Sequence, residues 1–299
     1  MSKKKQKQNS GYKSWWILLV LVIAILFGNS NTSIKDFLAH LGNNQPTEQI
    51  ANSEQLTNLV FDIQKYPQNY VILNNNQPQF STQTKNKIQQ IKSNLNQYIN
   101  ESDDQQDTQY HGFDHLGRTQ QVSSFVRYKD VVKHSSSVMK RPAFPESTKV
   151  SGEYLDGIFD NAANQWQGQQ SNNQIVQLAN YHGYLYNKSH LLAWSLGGSM
   201  SSENVILGTR AQNVGTNQQN NPGGMAYTET KVRDFLRQHQ DDTVFYQATP
   251  YYKGNELVAR GVQVQVQSIK NPSALHLNVW TFNTQSGVTI NYQNGQANV

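Results

Sequence analysis

Tyr186-Asn187-Lys188-Ser189-His190-Leu191-Leu192 opens the stretch of sequence that decides the fold, and Leu196-Gly197-Gly198 follows shortly after it. Next comes a second run, which reads Asn204-Val205-Ile206-Leu207-Gly208-Thr209-Arg210-Ala211-Gln212-Asn213. Glu229 and Arg233 lie beyond it. The pattern predicts a strand that delivers a histidine, a glycine-bent loop, a second strand and a helix that carries polar residues. A two-strand-plus-helix unit of this kind can hold one hydrated divalent ion against a histidine.

The residue types in this unit suit cleavage of a phosphodiester bond. That reaction needs a base for water, positive charge for the transition state and stabilisation of the leaving oxygen. His190 can act as the base, since an unperturbed imidazole has a pKa near ~6.5. Mg²⁺ keeps several waters and takes few protein ligands, so the amide oxygen of Asn213 could suffice as its direct ligand. Glu229 and Arg233 are four residues apart on a predicted helix, so one face presents both to the metal's waters and the phosphate.

Each of these residues also has an ordinary structural explanation when it is considered alone. A histidine before two leucines is commonly a hydrogen-bonded structural residue, and Asn213 can be a turn or cap residue. Glu229 with Arg233 can be a solvated pair on a helix surface. The residue pattern by itself therefore leaves catalysis and a purely structural role both open.

Downstream of this unit, hydrophobic periodicity predicts one helix and four strands. The helix spans Met225 to His239, with Val232, Phe235 and Leu236 as its buried stripe. The strands lie near 244–252, 256–269, 276–283 and 287–292. In the second strand valines at even positions alternate with glutamines at odd positions, which predicts one buried face and one wet face.

Upstream of this unit, Gln121 to Tyr128 has a strand pattern, whereas Gly152 to Trp166 has a helical pattern with its apolar residues on one face. Tyr184–Tyr186 and Asn204–Thr209 predict two further short strands. The predicted fold class is therefore α+β, with a mainly antiparallel central sheet, flanking helices and the two-strand-plus-helix unit. We place the boundaries of the catalytic domain at 106–299.

The first 105 residues have a different composition and predict two segments outside the catalytic domain. Residues 1–30 hold five lysines and no acidic residue, and Trp15 to Phe27 is an apolar run of 13 residues. This pattern predicts an export signal or an N-terminal membrane anchor, and hence an extracellular location. Residues 31–105 are rich in Asn, Gln, Ser and Thr and predict a polar spacer, with one helix from about Thr84 to Ile99.

Charge and cysteine content exclude several kinds of site. The net charge of +5 comes from the N-terminal lysines, because the rest of the chain has 20 basic and 20 acidic residues. Any phosphate site must therefore be local. The chain has no cysteine, which excludes disulfides, thiolate metal sites and zinc fingers. No base-reading module is recognisable, so nucleic acid would be held by its backbone, without sequence specificity.

From about Phe113 to Tyr292 the sequence resembles the DNA/RNA non-specific endonuclease family, which has the ββα-metal fold. The similarity is greatest to the DNA-entry nucleases and streptodornase-type DNases of Gram-positive bacteria. The matching stretches occur in order at Leu116-Gly117-Arg118, Leu185 to Leu191, Leu196-Gly197-Gly198, Asn204 to Asn213, Gly224-Met225, Val244 to Pro250 and Phe282 to Tyr292. Ordered motifs over some 180 residues are more specific than a single pattern.

The resemblance implies a role for each polar residue of the unit. His190 falls on the histidine that activates water, and Asn213 on the asparagine that is the metal's only direct protein ligand. Asn204 falls on a second asparagine that helps to shape the catalytic site. Glu229 matches the acid near the metal's water shell, and Arg233 matches the arginine on the same helix that meets the phosphate.

Lys188 is where the sequence departs from the family. Many members have Asp-Arg-Gly-His where this chain has Asn187-Lys188-Ser189-His190, and a branch with Asn-Arg-Ser-His differs mainly at 188. Lysine keeps the charge in the catalytic motif but loses the bidentate fork, so we expect weaker phosphate placement rather than lost chemistry. Arg118, Arg141 and Arg210 are further candidates for phosphate contacts, and each could equally be a structural or surface charge.

The resemblance implies an extracellular, Mg²⁺-dependent, sequence-nonspecific endonuclease that hydrolyses the phosphodiester bonds of DNA. It implies that Mn²⁺ can substitute, and it leaves RNA open as a second substrate. If uncleaved, the N-terminal segment would make the membrane a further partner. Two other functions stay open. One is a catalytically weak or inactive surface DNA-binding protein, which Lys188 alone supports, and the other is a secreted antibacterial nuclease toxin. The sequence does not predict the oligomeric state.

Overall fold

The computed structural model describes residues 45–100, 107–179, 181–216 and 221–299, and the elements below are those of these ranges. The strands are β1 (Thr47–Glu48), β2 (Tyr70–Leu73), β3 (Thr108–Tyr110), β4 (Val122–Arg127), β5 (Ile158–Asp160), β6 (Gln165–Gln167), β7 (Ile175–Leu178), β8 (Tyr181–Tyr184), β9 (Tyr186–His190), β10 (Val205–Thr209), β11 (Thr243–Tyr251), β12 (Gly261–Ser268), β13 (His276–Phe282), β14 (Thr289–Ile290) and β15 (Ala297–Asn298). The α-helices are α1 (Ser53–Asn58), α2 (Thr82–Ser93), α3 (Leu95–Asn100), α4 (Tyr128–Lys133), α5 (Arg210–Val214) and α6 (Met225–Gln238).

A central sheet organises the described part of the chain. Seven of the described strands form it in the order β1-β2-β13-β12-β11-β4-β3, and all neighbours are antiparallel except the β1–β2 pair. The prediction of an α+β fold with a mainly antiparallel sheet is confirmed. The predicted strand at 256–269 begins only at Gly261, and the residues before it form a loop in which Arg260 pairs with Glu256.

One face of this sheet packs against α6 to form the main core. Even-numbered residues of β12, such as Val262, Val264 and Val266, contribute to it, as their alternation predicts. From α6, Val232 and Leu236 are fully buried in the same core, and each such side chain contributes about 1.5–3 kcal/mol to the free energy of folding. Helix α6 therefore lies within one residue of its predicted range and presents its apolar stripe to the sheet.

The opposite face of β12 is not wet, which corrects the prediction from alternation. Gln263 and Gln265 are both buried, because residues 46–100 lie over this side of the sheet. The backbone N–H of Gln79 donates to Gln265 Oε1 at 2.5 Å. Periodicity predicts which residues share a face, but a face covered by a distant polar segment leaves no local signal.

The predicted spacer at 31–105 is wrong where the chain is described. β2 is a full member of the central sheet, paired with β13, and all four of its side chains are buried. The residues from Pro46 to Val299 form one compact unit, so the domain begins near residue 46 rather than 106. The prediction failed because short apolar runs in this segment are separated by long stretches of Asn and Gln.

The predicted helix from Thr84 to Ile99 is two helices. Ser81 caps α2, since its hydroxyl oxygen accepts the backbone N–H of Thr84 at 3.1 Å. The first helix ends with Asn94 as its C-cap, and α3 begins at Leu95. The predicted apolar residues do face the sheet, where they pack with phenylalanines of β4 and β11 through Ile88, Ile91, Leu95 and Tyr98.

The predicted helix at Gly152–Trp166 is also wrong, since this segment forms turns and the β5–β6 hairpin. Asn164 has a φ of 51°, which a helix does not allow. The Asp160 carboxylate accepts the backbone N–H groups of Ala162 and Ala163, an arrangement that favours a turn. The apolar face that suggested a helix is not buried, because Ile158 is 71% exposed.

The predicted export segment at 1–30 lies outside the described residues. Among the helices of the described ranges, none combines the length and the apolar character that a membrane span requires.

Candidate active site

Strands β9 and β10 and helix α5 form the scaffold of the site. The two strands are antiparallel, and His190 at the end of β9 lies opposite Val205 at the start of β10. Thr209 ends β10 and caps α5, since its hydroxyl oxygen accepts the backbone N–H of Gln212 at 3.0 Å. Helix α5 therefore begins directly at the strand end and contacts β9. This return places Asn213 Oδ1 3.4 Å from the hydroxyl of Ser189, the residue before the predicted base in β9.

Gly224 brings α6 against this scaffold. Its φ is 54°, and a Cβ at this position would lie 2.2 Å from the Gln212 carbonyl oxygen. Only glycine allows such an approach, so the first turn of α6 starts directly on the backbone of α5. Glu229 and Arg233 follow one turn apart on this helix. The structure thus brings the predicted residues of β9, α5 and α6 into one region.

His190 is held on several sides and is only 8% exposed. Its ring stacks on Phe144 with centroids 5.0 Å apart, and its Nε2 lies 3.3 Å from Met200 Sδ. The ring also hydrogen-bonds the backbone of Ser199. Tyr246 of β11 donates to the carbonyl of the next residue, Leu191, and so ties the end of β9 to the central sheet.

The pKa of His190 is lowered to about 4, chiefly by burial and also by the nearby positive charge of Arg141, while the hydrogen bond to the Ser199 backbone opposes the shift. This corrects the expectation of an ordinary imidazole. At neutral pH the ring is therefore uncharged, which is the form that can accept a proton.

The Asn204 side chain cross-links the backbone of the loop that holds His190. Its Oδ1 accepts the backbone N–H of Leu192, and its Nδ2 donates to the carbonyls of Leu192 and Ser199 at 2.9 and 2.8 Å. Asn204 is fully buried, so its amide is engaged by backbone groups. The contacts describe a positioning residue that acts on His190 through Ser199, rather than one that reaches substrate.

Glu229 and Arg233 present charges with few internal partners. The pKa of Glu229 is raised to about 7, because the effect of burial exceeds the opposing effect of the Arg233 and Arg141 guanidinium groups. The Glu229 carboxylate has no hydrogen bond or ion pair with any described residue. Arg233 donates only to two neutral hydroxyls, those of Ser195 and Thr230, at 2.9 and 2.8 Å. Both groups remain available to charged partners.

Lys188 is engaged within the protein. Its ammonium forms an ion pair with Glu153 at 3.3 Å and hydrogen-bonds the Thr148 carbonyl. It also lies 6.0 Å from the centroid of the Phe144 ring. These contacts tie β9 to the segment that packs on His190, so Lys188 in this conformation supports the base rather than facing a phosphate.

The three further arginines that the sequence offered as candidates for phosphate contacts have different surroundings. Arg118 is structural, because it pairs with Asp114 at 2.7 Å and donates to the carbonyls of Gly254 and Glu256. Arg141 is exposed and lies over Phe144, and its charge affects the pKa values of both His190 and Glu229. Arg210 has internal contacts on α5. Among the three, Arg141 is the one that faces the site.

Phe144, Ser199 and Met200 are the residues that sequence reasoning missed. Each touches His190. Phe144 lies in an irregular segment far upstream, where no periodicity indicates what it contacts. Ser199 and Met200 follow the predicted glycine-bent loop, and the glycines were the available signal that this loop folds back on the strand.

The oxygen donors of the site fit a hydrated divalent cation. Asn213 offers an amide oxygen whose protein contact is long, and Glu229 offers a partly buried carboxylate without a hydrogen bond. In the same region, Asn187 Nδ2 and both side-chain polar atoms of Gln212 are buried without hydrogen-bond partners. No group of three or more His, Asp or Glu side chains among the described residues is arranged to hold a metal ion. The fit therefore rests on neutral and water-mediated donors around Asn213.

The burial of His190 predicts a pH-dependent stability difference. Its pKa is lower in the folded chain than the ordinary 6.5, so between these values the unfolded chain binds a proton that the folded chain does not. The folded state therefore loses stability as pH falls from about 6.5 toward 4. We expect His190→Ala to remove about 2–3 kcal/mol of the acid-dependent loss between pH 7 and 4.5.

Urea unfolding of both proteins at the two pH values measures this difference. The exposed His182 of β8 is the matched control, and His182→Ala should keep the acid-dependent loss of the unchanged chain. Parallel losses in the unchanged chain and in His190→Ala would contradict the lowered pKa.

Part of the chain matches a known protein family and a known deoxyribonuclease. The profile described as DNA/RNA non-specific endonuclease matches residues 147–270, which contain β9, β10, α5 and α6. A deoxyribonuclease of Streptococcus dysgalactiae subsp. equisimilis is 43% identical over 115 residues, covering 38% of this chain. The match spans 33% of that relative, about a third of its length.

Solved structures show the same fold over a longer range. The Sda1 nuclease, solved with a bound zinc ion, has a TM-score of 0.56 and 31% identity, covering 64% of this chain and 81% of its own. NucA from Streptococcus agalactiae, solved with a bound magnesium ion, has a TM-score of 0.52 and 19% identity, covering 78% of this chain and 87% of its own. The second similarity concerns the fold alone.

Proposed function

Because this chain belongs to the DNA/RNA non-specific endonuclease family, we propose that it is a metal-dependent endonuclease that hydrolyses the phosphodiester backbone of DNA. The observation that carries the proposal is an uncharged, buried His190 on a strand that contacts α5, which in turn contacts α6. Asn213 on α5 and Glu229 on α6 are oxygen donors with few internal partners. The relative of similar sequence is called a deoxyribonuclease, which supports DNA as the substrate. RNA is a second substrate under the same backbone chemistry.

In this proposal His190 is the general base. Its uncharged imidazole accepts a proton from the water that attacks phosphorus, and the bond from phosphorus to the 3′-oxygen breaks. The contacts to Phe144 and Ser199 fix the ring plane, so the ring needs no reorientation during the step. Asn204 and Lys188 support the ring indirectly. Asn204 holds the loop that contains Ser199, and Lys188 holds the segment that contains Thr148 and Glu153.

Asn213 Oδ1 would bind the metal directly, and Glu229 would hold metal-bound waters. A bound divalent ion supplies Lewis-acid stabilisation of the phosphate and of the leaving oxygen, and we propose Mg²⁺, with Mn²⁺ as a substitute. Arg233 and Arg141 have guanidinium groups that can each donate two hydrogen bonds to phosphate oxygens. None of these groups reads a base, so cleavage should be independent of sequence.

We further propose that the protein acts outside the cell. The lysine-rich start followed by a 13-residue apolar run supports export, as a cleaved signal or as a membrane anchor. The chain has no cysteine, so it does not depend on disulfides in that oxidising environment.

Cleavage of supercoiled plasmid by the purified full chain tests the activity. We expect degradation in Mg²⁺ and none in EDTA. A folded chain that shifts DNA in a gel but does not cleave it in Mg²⁺, Mn²⁺ or Zn²⁺ would instead favour a DNA-binding protein.

Glu229→Gln is expected to raise the Mg²⁺ concentration needed for half-maximal cleavage by about tenfold, with a smaller change of the saturated rate. The reason is that the amide loses the charge that holds metal-bound waters, and such outer partners are worth about 10–100-fold in metal affinity. A metal titration of the cleavage rate measures the effect. Asp234→Asn, an exposed carboxylate on the same helix, is the control. An unchanged metal requirement would show that Glu229 does not hold the metal-bound waters.

A further inference from the structure

A band of polar side chains crosses the face of the central sheet opposite the candidate active site. The strand register places its members side by side on β4, β11, β12 and β13, as Ser123, Gln247, Gln265 and Asn278. Their chain neighbours Ala248, Val264 and Val279 belong to the core under α6. Because side chains alternate along a strand, the band points away from the active site.

The band lies between two apolar clusters on the same face. One cluster is built around Trp280 and Phe282, and the other around Phe125 and Phe245. Residues 50–98 contribute to both clusters, so the same segment that seals them passes over the band. None of the side-chain amide atoms of the band is among the fully buried polar atoms that lack a hydrogen-bond partner, so its unpartnered amides reach solvent rather than serve the core. The polar band therefore calls for a role other than folding.

A groove of 280 Å³ runs along the band. Carboxamides, hydroxyls and the ring of Tyr251 line it together with the apolar side chains of Ile50 and Leu56, and no described residue in its lining is charged. A second hollow of 320 Å³ shares Ser81, Thr84 and Gln121 with the first and continues toward the Lys87–Asp107 ion pair. Together they form an elongated polar groove under α2.

Two of the amides in this groove have polar atoms without an internal partner. Gln247 is only 8% exposed, yet its side chain hydrogen-bonds none of the described residues. Gln265 uses its Oε1 for the backbone N–H of Gln79, and its Nε2 has no partner within the described ranges. By contrast, Gln263 accepts from Tyr251 and donates to Asn278, at 3.1 and 2.8 Å. A fixed polar framework thus surrounds the free amide groups of Gln247 and Gln265.

We propose that this groove binds a short segment of a neutral oligosaccharide. Sugar hydroxyls both donate and accept hydrogen bonds, and carboxamides offer both functions within one side chain. A nucleic-acid backbone would meet no positive charge in the first hollow, and Lys87 in the second is paired with Asp107. A peptide strand would need a free sheet edge, whereas β11 and β12 are interior strands. The volume is near the lower end for ligand pockets, about 300 Å³, which suits one or two sugar rings.

The inference goes beyond the proposed nuclease and does not depend on it, because no residue of the groove belongs to the active site. Gln247→Leu separates the two. We expect it to weaken oligosaccharide binding at least about tenfold, a loss of about 1.4 kcal/mol. It should also leave the Tm nearly unchanged, since the Gln247 amide hydrogen-bonds none of the described residues and the fold loses no such bond. DNA cleavage should be unchanged.

The experiment is a calorimetric titration of the full chain with N-acetylglucosamine tetramer and with maltotetraose. Gln247→Ala repeats the test without added volume, and Gln293→Leu, at an exposed glutamine outside the groove, is the matched control. Binding of either sugar that Gln247→Leu and Gln247→Ala weaken and Gln293→Leu does not would support the proposal.

Several results would overturn this assignment. These are no binding of either sugar up to about 10 mM, or binding that is indifferent to Gln247. A marked fall of the Tm in both Gln247 variants would show that the amide is structural. Binding of an oligodeoxynucleotide that Gln247→Leu abolishes would assign the groove to nucleic acid instead.

Discussion

His190→Ala is expected to lower the rate of DNA cleavage by about 10²–10⁴-fold at saturating metal, because a positioned base contributes that much to proton transfer. The ring is buried and uncharged, and its partners Phe144 and Ser199 hold it in one orientation. Alanine removes the proton acceptor but leaves the backbone of β9 and its pairing with β10 intact. Initial rates of plasmid nicking, measured as a function of Mg²⁺, give the effect.

Two controls separate loss of the base from loss of the fold. His182→Ala, at an exposed histidine of the neighbouring strand β8, should keep the full rate. His190→Ala should also retain the metal affinity of the unchanged chain, because the proposed ligand is Asn213. Cleavage within a few-fold of normal in a folded His190→Ala protein would refute the role of His190 as base.

The elements that the sequence predicted well are those whose partners are local or periodic. Helix α6 and strand β10 have strong apolar patterns, and both lie within a residue of their predicted ranges. The succession of polar residues from His190 to Arg233 also gave the candidate site, because each residue ends a strand or repeats along a helix. Short-range geometry was enough to bring them together.

The elements that sequence analysis missed depend on contacts between distant parts of the chain. The tetrapeptide Tyr70–Leu73 is too short to predict a strand within an Asn- and Gln-rich segment, and it becomes β2 only by pairing with β13. Burial of Gln263 and Gln265 follows from that same segment lying over them. The segment Gly152–Trp166 satisfied a helical pattern by chance, and local turn chemistry at Asp160 and Asn164 decided its structure.

The contacts of two predicted site residues could not be inferred from the sequence. Asn204 and Lys188 were expected in or near the chemistry, yet their contacts are with Ser199, Leu192, Glu153 and Thr148. Which partner a side chain reaches depends on loops that carry no periodic signal. The pKa of His190 was missed for the same reason, because burial by Phe144 and its neighbours cannot be read from the strand alone.

Asn213→Ala is expected to reduce cleavage at least about 10²-fold at ordinary Mg²⁺ concentrations, because it removes the proposed direct protein ligand of an ion that supplies several kcal/mol to the transition state. The Asn213 side chain makes one long contact, 3.4 Å to Ser189, so its removal costs the fold little. Asn213→Asp keeps an oxygen at the same place and should retain far more metal binding than alanine does. Calorimetric titration with Mg²⁺ and with Mn²⁺, beside the cleavage rate, measures both effects.

The comparison of Asn213→Ala with His190→Ala is the sharper test, because the two variants should fail in different ways. Loss of the ligand should weaken metal binding and be partly recovered at high metal concentration, whereas loss of the base should leave metal binding intact and resist recovery. Asn96→Ala, at an exposed asparagine of α3, should change neither property. If Asn213→Ala binds Mg²⁺ normally and cleaves DNA normally, the cation is held elsewhere, and the partly buried carboxylate of Glu229 becomes the first residue to test as its direct ligand.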